Sequence, residues 1–171
     1  MNITYTNGDI NIIHEIQHLW EELNIHHGMV SPFFKQVFET NSFNHRVSNL
    51  LRKYRKGLIH IDIAKDKDIP VGYVISTINA DNDGEIESLF IKGRYRGKGI
   101  GESLLQKAVD WLDSRNVQSK AVNVVYGNED AFGSYAEFDF FPRATRLVQK
   151  ERIIQWKNQS QFLLLPYFPQ P

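Results

Sequence analysis

The chain of 171 residues contains no cysteine. That absence excludes disulfides, thiolate nucleophiles and cysteine-ligated metal sites. It has no surplus of either charge: 20 Lys plus Arg balance 20 Asp plus Glu, for a net charge of zero. A polyanion binder would show a basic footprint, so no nucleic-acid partner is expected. No apolar run approaches the ~18–20 residues that span a bilayer. The start, Met1-Asn-Ile-Thr-Tyr5, has the pattern of neither a signal nor a transit peptide. A cytoplasmic protein without a membrane partner is the expectation. Repeats, low-complexity tracts and linkers are also missing. What is present is ordinary globular composition, 42% hydrophobic and 23% charged. Residues 1–171 are read as a single domain with a real core, and 153–171 as a C-terminal strand or packing arm.

Periodicity gives the map. Asn2–Thr6 reads as a short strand. Asp9 caps a helix running to about His26, with Ile12, Ile13, Ile16, Leu19, Trp20 and Leu23 at helical spacing. Gly28–Asn41 is less regular, and a second helix covers Phe43–Tyr54. Leu58–Ala64 alternates as a half-buried strand. Val71–Ile78 and Glu85–Ile91 follow across turn residues, which predicts an antiparallel meander. A clear helix carries Ile100, Leu104, Leu105, Ala108, Trp111 and Leu112 on one stripe. Ala121–Val125 is a strand, so the strand–helix–strand order implies a parallel crossover. A last helix spans about Asn128–Glu137, and Arg143–Val148 reads as a further strand.

The most specific chemistry lies at the turn Lys92-Gly-Arg-Tyr-Arg-Gly-Lys-Gly-Ile-Gly101. Glycines at the start of a helix let a pyrophosphate approach free backbone N–H groups. A P-loop needs Gly, four residues, Gly, Lys, then Ser or Thr; here Gly99 follows Lys98 and the upstream Gly is missing. A dinucleotide fingerprint needs G-x-G-x-x-G, and Gly97, Gly99 and Gly101 give G-x-G-x-G. The pattern Arg/Gln-x-x-Gly-x-Gly/Ala does match, at Arg96, Gly99 and Gly101. Downstream, Asn128-x-x-Ala131-x-x-x-Tyr135-x-x-x-Asp139-Phe140 has the form Asn-x-x-Ala-x-x-x-Tyr-x-x-x-Gly-Phe. In these two motifs and their order the chain resembles the GNAT superfamily of acetyl-CoA-dependent N-acetyltransferases, loosely over residues 1–150.

The resemblance implies an α+β fold. Its central mixed, mostly antiparallel sheet would have about six or seven strands, flanked by about four helices. It implies acetyl-CoA as co-substrate, no metal, and a ternary complex in which a primary amine attacks the thioester directly. The backbone of Leu89, Phe90 and Ile91 would pair with the pantetheine arm. Arg96, Gly97, Lys98, Gly99, Ile100 and Gly101 would hold the pyrophosphate. Asn128 would contact the cofactor's amide arm or simply cap the last helix. Tyr135 would be the general acid near the sulfur. Glu87, Glu85 or water would be the base. At two apart on one strand, both glutamates are expected to share a face with Leu89 and Ile91. Two departures stand out: Asp139 replaces the usual Gly, at a position where Asp tolerates φ > 0, and Gly93 replaces Pro.

Other readings compete. His14-Glu15-Ile16-Gln17-His18 matches the zincin pattern, with two histidines at i and i+4 on one helical face. No third ligand follows in the extended pattern. His26 and His27 are adjacent and face different ways. A non-catalytic acetyl-CoA binder or sensor on the same fold is a further alternative, because fold does not fix function. Phe33, Phe34 and Phe38 either wall an acceptor pocket or pack a helix connection. Ribosomal-type relatives carry a Glu where this chain has Asn123, which favours a small-molecule amine over a peptide. A homodimer is expected on family grounds alone.

Overall fold

The computed structural model describes residues 1–149, so the expected arm at 153–171 lies outside the described residues. Strands β1 (Ile3–Gly8), β2 (Leu58–Asp66), β3 (Ile69–Ile78), β4 (Asp83–Ile91) and β5 (Ser119–Val122) lie side by side in that order. The first four are antiparallel, and β5 runs parallel to β4. Local chemistry closes the meander. Lys67 and Asp68 both take positive φ between β2 and β3, as a two-residue hairpin with the sheet's own twist requires. The side-chain oxygen of Asn79 accepts from the N–H groups of Asp81 and Asp83, which closes the turn into β4.

The helices cover both faces. Helix α4 (Ile100–Ser114) makes the crossover and buries Ile100, Leu104, Leu105, Ala108 and Leu112 against Val71, Val74 and Ile86. The opposite face carries α1 (Gln17–Val30) and α3 (Phe43–Lys53), which bury Leu19, Trp20, Leu23 and Leu50 against Ile61, Ile63, Tyr73 and Ile75. Short helices α2 (Lys35–Glu39) and α5 (Phe132–Ala136) complete the described fold.

Several expectations change. The first helix is not continuous. Asp9 does cap it, accepting from the Asn11 N–H, but Ile10–Ile16 is a 3-10 segment before α1 begins. The strand expected at Ala121–Val125 is Ser119–Val122. Arg143–Val148 forms no strand, so five strands stand among the described residues rather than six or seven.

One irregularity decides the site. Ile75 pairs with Ser88, whereas its neighbour Ser76 pairs with Ile86, so Glu87 is an extra residue on β4. A bulge of this kind resets which face each later side chain meets. Ile86, Leu89 and Ile91 therefore pack toward α4, while Phe90 joins the core on the α1 and α3 side. Glu85 and Glu87 also face α3, as their bonds to Lys53 and Tyr54 show. The expectation that they share a face with Leu89 and Ile91 is wrong: strict alternation does not survive the extra residue.

Candidate active site

The glycine turn folds as the motif requires. After β4, Gly93–Tyr95 makes one 3-10 turn, and Gly97 and Gly99 take φ of 68° and 74°. A Cβ at either glycine would meet nothing within 4 Å, so the backbone conformation, not crowding, calls for glycine there. Gly99 caps α4 without a side-chain bond, and the first backbone bond of the helix runs from Ser103 N–H to its carbonyl. Among the described residues no backbone acceptor engages the N–H groups of Gly97 through Glu102. They form an anion cradle, and the helix dipole adds to it.

The flanking cations differ in role. Arg96 donates from Nε to the Ile91 carbonyl at 3.0 Å, and its guanidinium lies over the Phe90 ring. It ties the turn back onto β4. Lys98 lies 5.7 Å from the Tyr95 ring centroid.

The edge of β4 opens beside this cradle. Parallel pairing with β5 ends at Ile86 and Val122. Beyond that point, among the described residues, no strand lies beside the edge of β4 that carries Leu89, Phe90 and Ile91. A slot with unpaired main-chain groups on its wall suits an extended amide-bearing chain.

The carboxylates lie on the α3 side of the sheet. Glu87 is only 5% exposed at its side chain. Its Oε2 accepts from Arg46 Nη2 at 2.8 Å, its Oε1 accepts from Lys53 Nζ at 2.7 Å, and the Tyr54 hydroxyl also donates to it. Burial alone would raise its pKa; the Arg46 guanidinium, Lys53 and Tyr54 outweigh that and hold it below the ordinary carboxylate value. Glu85 is more open. Its Oε2 meets Lys53 Nζ at 2.7 Å and the Tyr54 hydroxyl at 3.1 Å, and its Oε1 accepts from Asn123 Nδ2 at 2.7 Å. For Lys53, burial works to lower the pKa, but the hydrogen bonds to Glu85 and Glu87 prevail and raise it. Burial, then the bond to Glu87, pushes the Tyr54 phenol up as well.

Tyr135 sits on α5, packed on the α4-side core, with its ring edge-on to Phe140 at 6.2 Å. Burial pushes its pKa up to about 12. Asp139 adopts φ of 61°, so the Asp-for-Gly exchange keeps the turn, and the Phe140 N–H returns to the Tyr135 carbonyl at 3.1 Å. Asn128 makes no side-chain cap bond; its Oδ1 lies 3.3 Å from Nε2 of His26 on α1. Next to it, a Cβ on Gly127 would meet the Val30 carbonyl oxygen at 2.1 Å. The end of α1 thus presses directly on the loop after β5. Of the phenylalanines, Phe33 stacks on Tyr126 of that loop at 6.1 Å and Phe38 lies against His27.

The zincin-like residues do not share one α-helix. His14 lies in the 3-10 segment, edge-on to Phe43, and His18 lies in α1 near the Pro70 carbonyl oxygen. No group of three His, Asp or Glu among the described residues is placed to hold a metal ion. Sequence reasoning missed Arg46, Lys53 and Tyr54. The available signal was the spacing of Arg46, Leu50 and Lys53 on α3, at i, i+4 and i+7, which puts two cations on the stripe of a buried leucine.

A mixed sheet whose parallel pair splits beside an N–H cradle suits a ligand that has a pyrophosphate and an extended, amide-bearing arm. Residues 17–140 match the acetyltransferase (GNAT) family. The chain belongs to that family and is an acetyl-CoA-dependent N-acetyltransferase. It is 28% identical over 134 residues to a protein of Bacillus subtilis (strain 168), which covers 78% of this chain and 80% of that one. The assigned name of that relative, itself provisional, is ribosomal protein bS18-alanine N-acetyltransferase. Among solved structures, the fold resembles a GCN5-related N-acetyltransferase from Ralstonia eutropha JMP134 with a TM-score of 0.69 and 13% identity, covering 86% of this chain and 98% of that one. It also resembles the PaiA N-acetyltransferase of Thermoplasma acidophilum, solved with coenzyme A, with a TM-score of 0.63, 19% identity, and coverage of 81% and 89%. Among the described residues no helix is long and apolar enough to cross a membrane.

Proposed function

We propose that this enzyme acetylates a primary amine of a small molecule in a ternary complex, with Glu85 as the base and Tyr135 as the acid. The carrying observation is the opening of β4 from β5 after Ile86, directly beside the N–H groups of the glycine turn. The pyrophosphate would rest on the N–H groups of residues 97–101. The pantetheine arm would run along Leu89–Ile91. Asn128, bonded to His26, would hold the far wall of the slot rather than the cofactor itself.

The amine nitrogen attacks the thioester carbonyl carbon; the N–C bond forms and the C–S bond breaks. One ammonium proton leaves first, to Glu85. Tyr135 gives its proton to the sulfur as the C–S bond breaks, and the second proton of the attacking nitrogen passes through solvent to restore the Tyr135 hydroxyl. Glu87 is the weaker candidate for the base. A carboxylate that is buried, pairs with both Arg46 and Lys53 and stays below its ordinary pKa has little affinity for a further proton. Its role is to anchor the bulge.

A second reading has the α-amino group of a protein as acceptor, and the Bacillus subtilis relative supports it. An amine panel that includes short peptides, followed by release of the coenzyme A thiol, tests both. Glu85→Gln should lower the rate most below the acceptor's pKa. An unchanged rate would remove Glu85, and turnover of peptides alone would favour the second reading.

A further inference from the structure

Lys53 stands between the two glutamates of β4. Its Nζ lies 2.7 Å from Glu85 Oε2 and 2.7 Å from Glu87 Oε1. The same nitrogen sits 5.0 Å from the centroid of the Tyr54 ring. Two carboxylate oxygens and an aromatic face around one primary ammonium make a complete alkylammonium site. The protein fills that site with its own lysine.

We propose that Lys53 is a specificity-determining residue: it occupies the acceptor's ammonium subsite in the free enzyme and leaves when an acceptor binds. The inference rests on the reading of Glu85 as the base. Lys53 is suited to leave. It is the last residue of α3, its side chain is 51% exposed, and its stem is flexible. Arg46 is not suited. It is mostly buried, and it binds both the Glu87 carboxylate and the Glu87 carbonyl.

The charge count then selects the acceptor. Glu85 and Glu87 carry two negative charges, and Arg46 and Lys53 carry two positive ones. An acceptor with one ammonium replaces Lys53 charge for charge. A polyamine brings further charges to a cluster that is already neutral, and the displaced Lys53 ammonium repels them. The acceptor class is therefore a monoamine rather than a polycation.

The test is calorimetric titration of butylamine and of spermidine into protein saturated with coenzyme A. Wild type, Lys53→Arg and Lys53→Met are compared at one pH and ionic strength. Removing the internal competitor in Lys53→Met should tighten butylamine about fivefold, the scale of one partly exposed ion pair. Spermidine should gain more than butylamine, and Lys53→Arg should behave as wild type. Lys53→Gln serves if the Met variant melts early. Equal or weaker butylamine binding in a variant that melts like wild type overturns the proposal. So does an unchanged spermidine-to-butylamine ratio, or no measurable binding to any form. Failure of the wild type to release coenzyme A with any small amine of the panel would instead sink the small-molecule-acceptor reading, because the titrations do not depend on turnover.

Discussion

Arg46 and Glu87 are joined twice: Nη2 of Arg46 donates to the Glu87 carboxylate at 2.8 Å and to the carbonyl oxygen of the same residue at 3.3 Å. Glu87 is also the residue that the β3–β4 register skips. One guanidinium on α3 thus clamps both the side chain and the backbone of the bulge. This contact couples α3 to the strand that parts from β5 after Ile86.

Arg46→Met should therefore destabilise the fold by about 3 kcal/mol, since it strips a buried carboxylate of its main counter-charge. Urea unfolding measures this. A loss below 0.5 kcal/mol, within the range of a neutral surface change, would show that Lys53 and Tyr54 alone suffice.

Glu87 also sets a pH dependence. Its folded-state pKa lies below the ordinary 4.5, so its contribution is fully present above that value. It is lost as pH falls through the lower, folded value. The stability difference between wild type and Glu87→Gln should be flat from neutral pH down to about 5, then shrink in more acid solution. A difference that grows with acidification would contradict the assignment.

Tyr135→Phe should keep acetyl-CoA binding and cut kcat about a hundredfold, the lower end for loss of a general acid. Calorimetry and thiol release, run on the same sample, separate the two effects. If binding falls as much as kcat, the ring rather than the hydroxyl is what matters.

Three glycines should respond differently to alanine. At Gly93 the added Cβ meets nothing within 4 Å and φ is not positive, so no change is expected. At Gly99 space is open but φ is 74°; about 1–2 kcal/mol of strain should appear together with weaker acetyl-CoA binding. At Gly127 the Cβ would strike the Val30 carbonyl at 2.1 Å, so the loop must leave α1. Thermal melts with and without acetyl-CoA rank the three, and equal melts would refute the distinction.

The sequence by itself determined the fold class and the glycine turn that leads into α4. The turn at Gly97 and Gly99 and the stripe on α4 are local: φ preferences and helical period act within a few residues, so spacing reveals them. The same holds for Tyr135 and Asp139, which sit in one short motif. Only the tertiary structure decided what surrounds Glu85 and Glu87. The bulge at Glu87 depends on register with β3, and no alternation rule within β4 can report it. The network of Arg46, Lys53 and Tyr54 with Glu85, Glu87 and Asn123 joins α3, β4 and the segment after β5. The three segments it joins lie more than 30 residues apart in sequence, and what brings them together is the packing of α3 on the sheet and the pairing of β5 with β4.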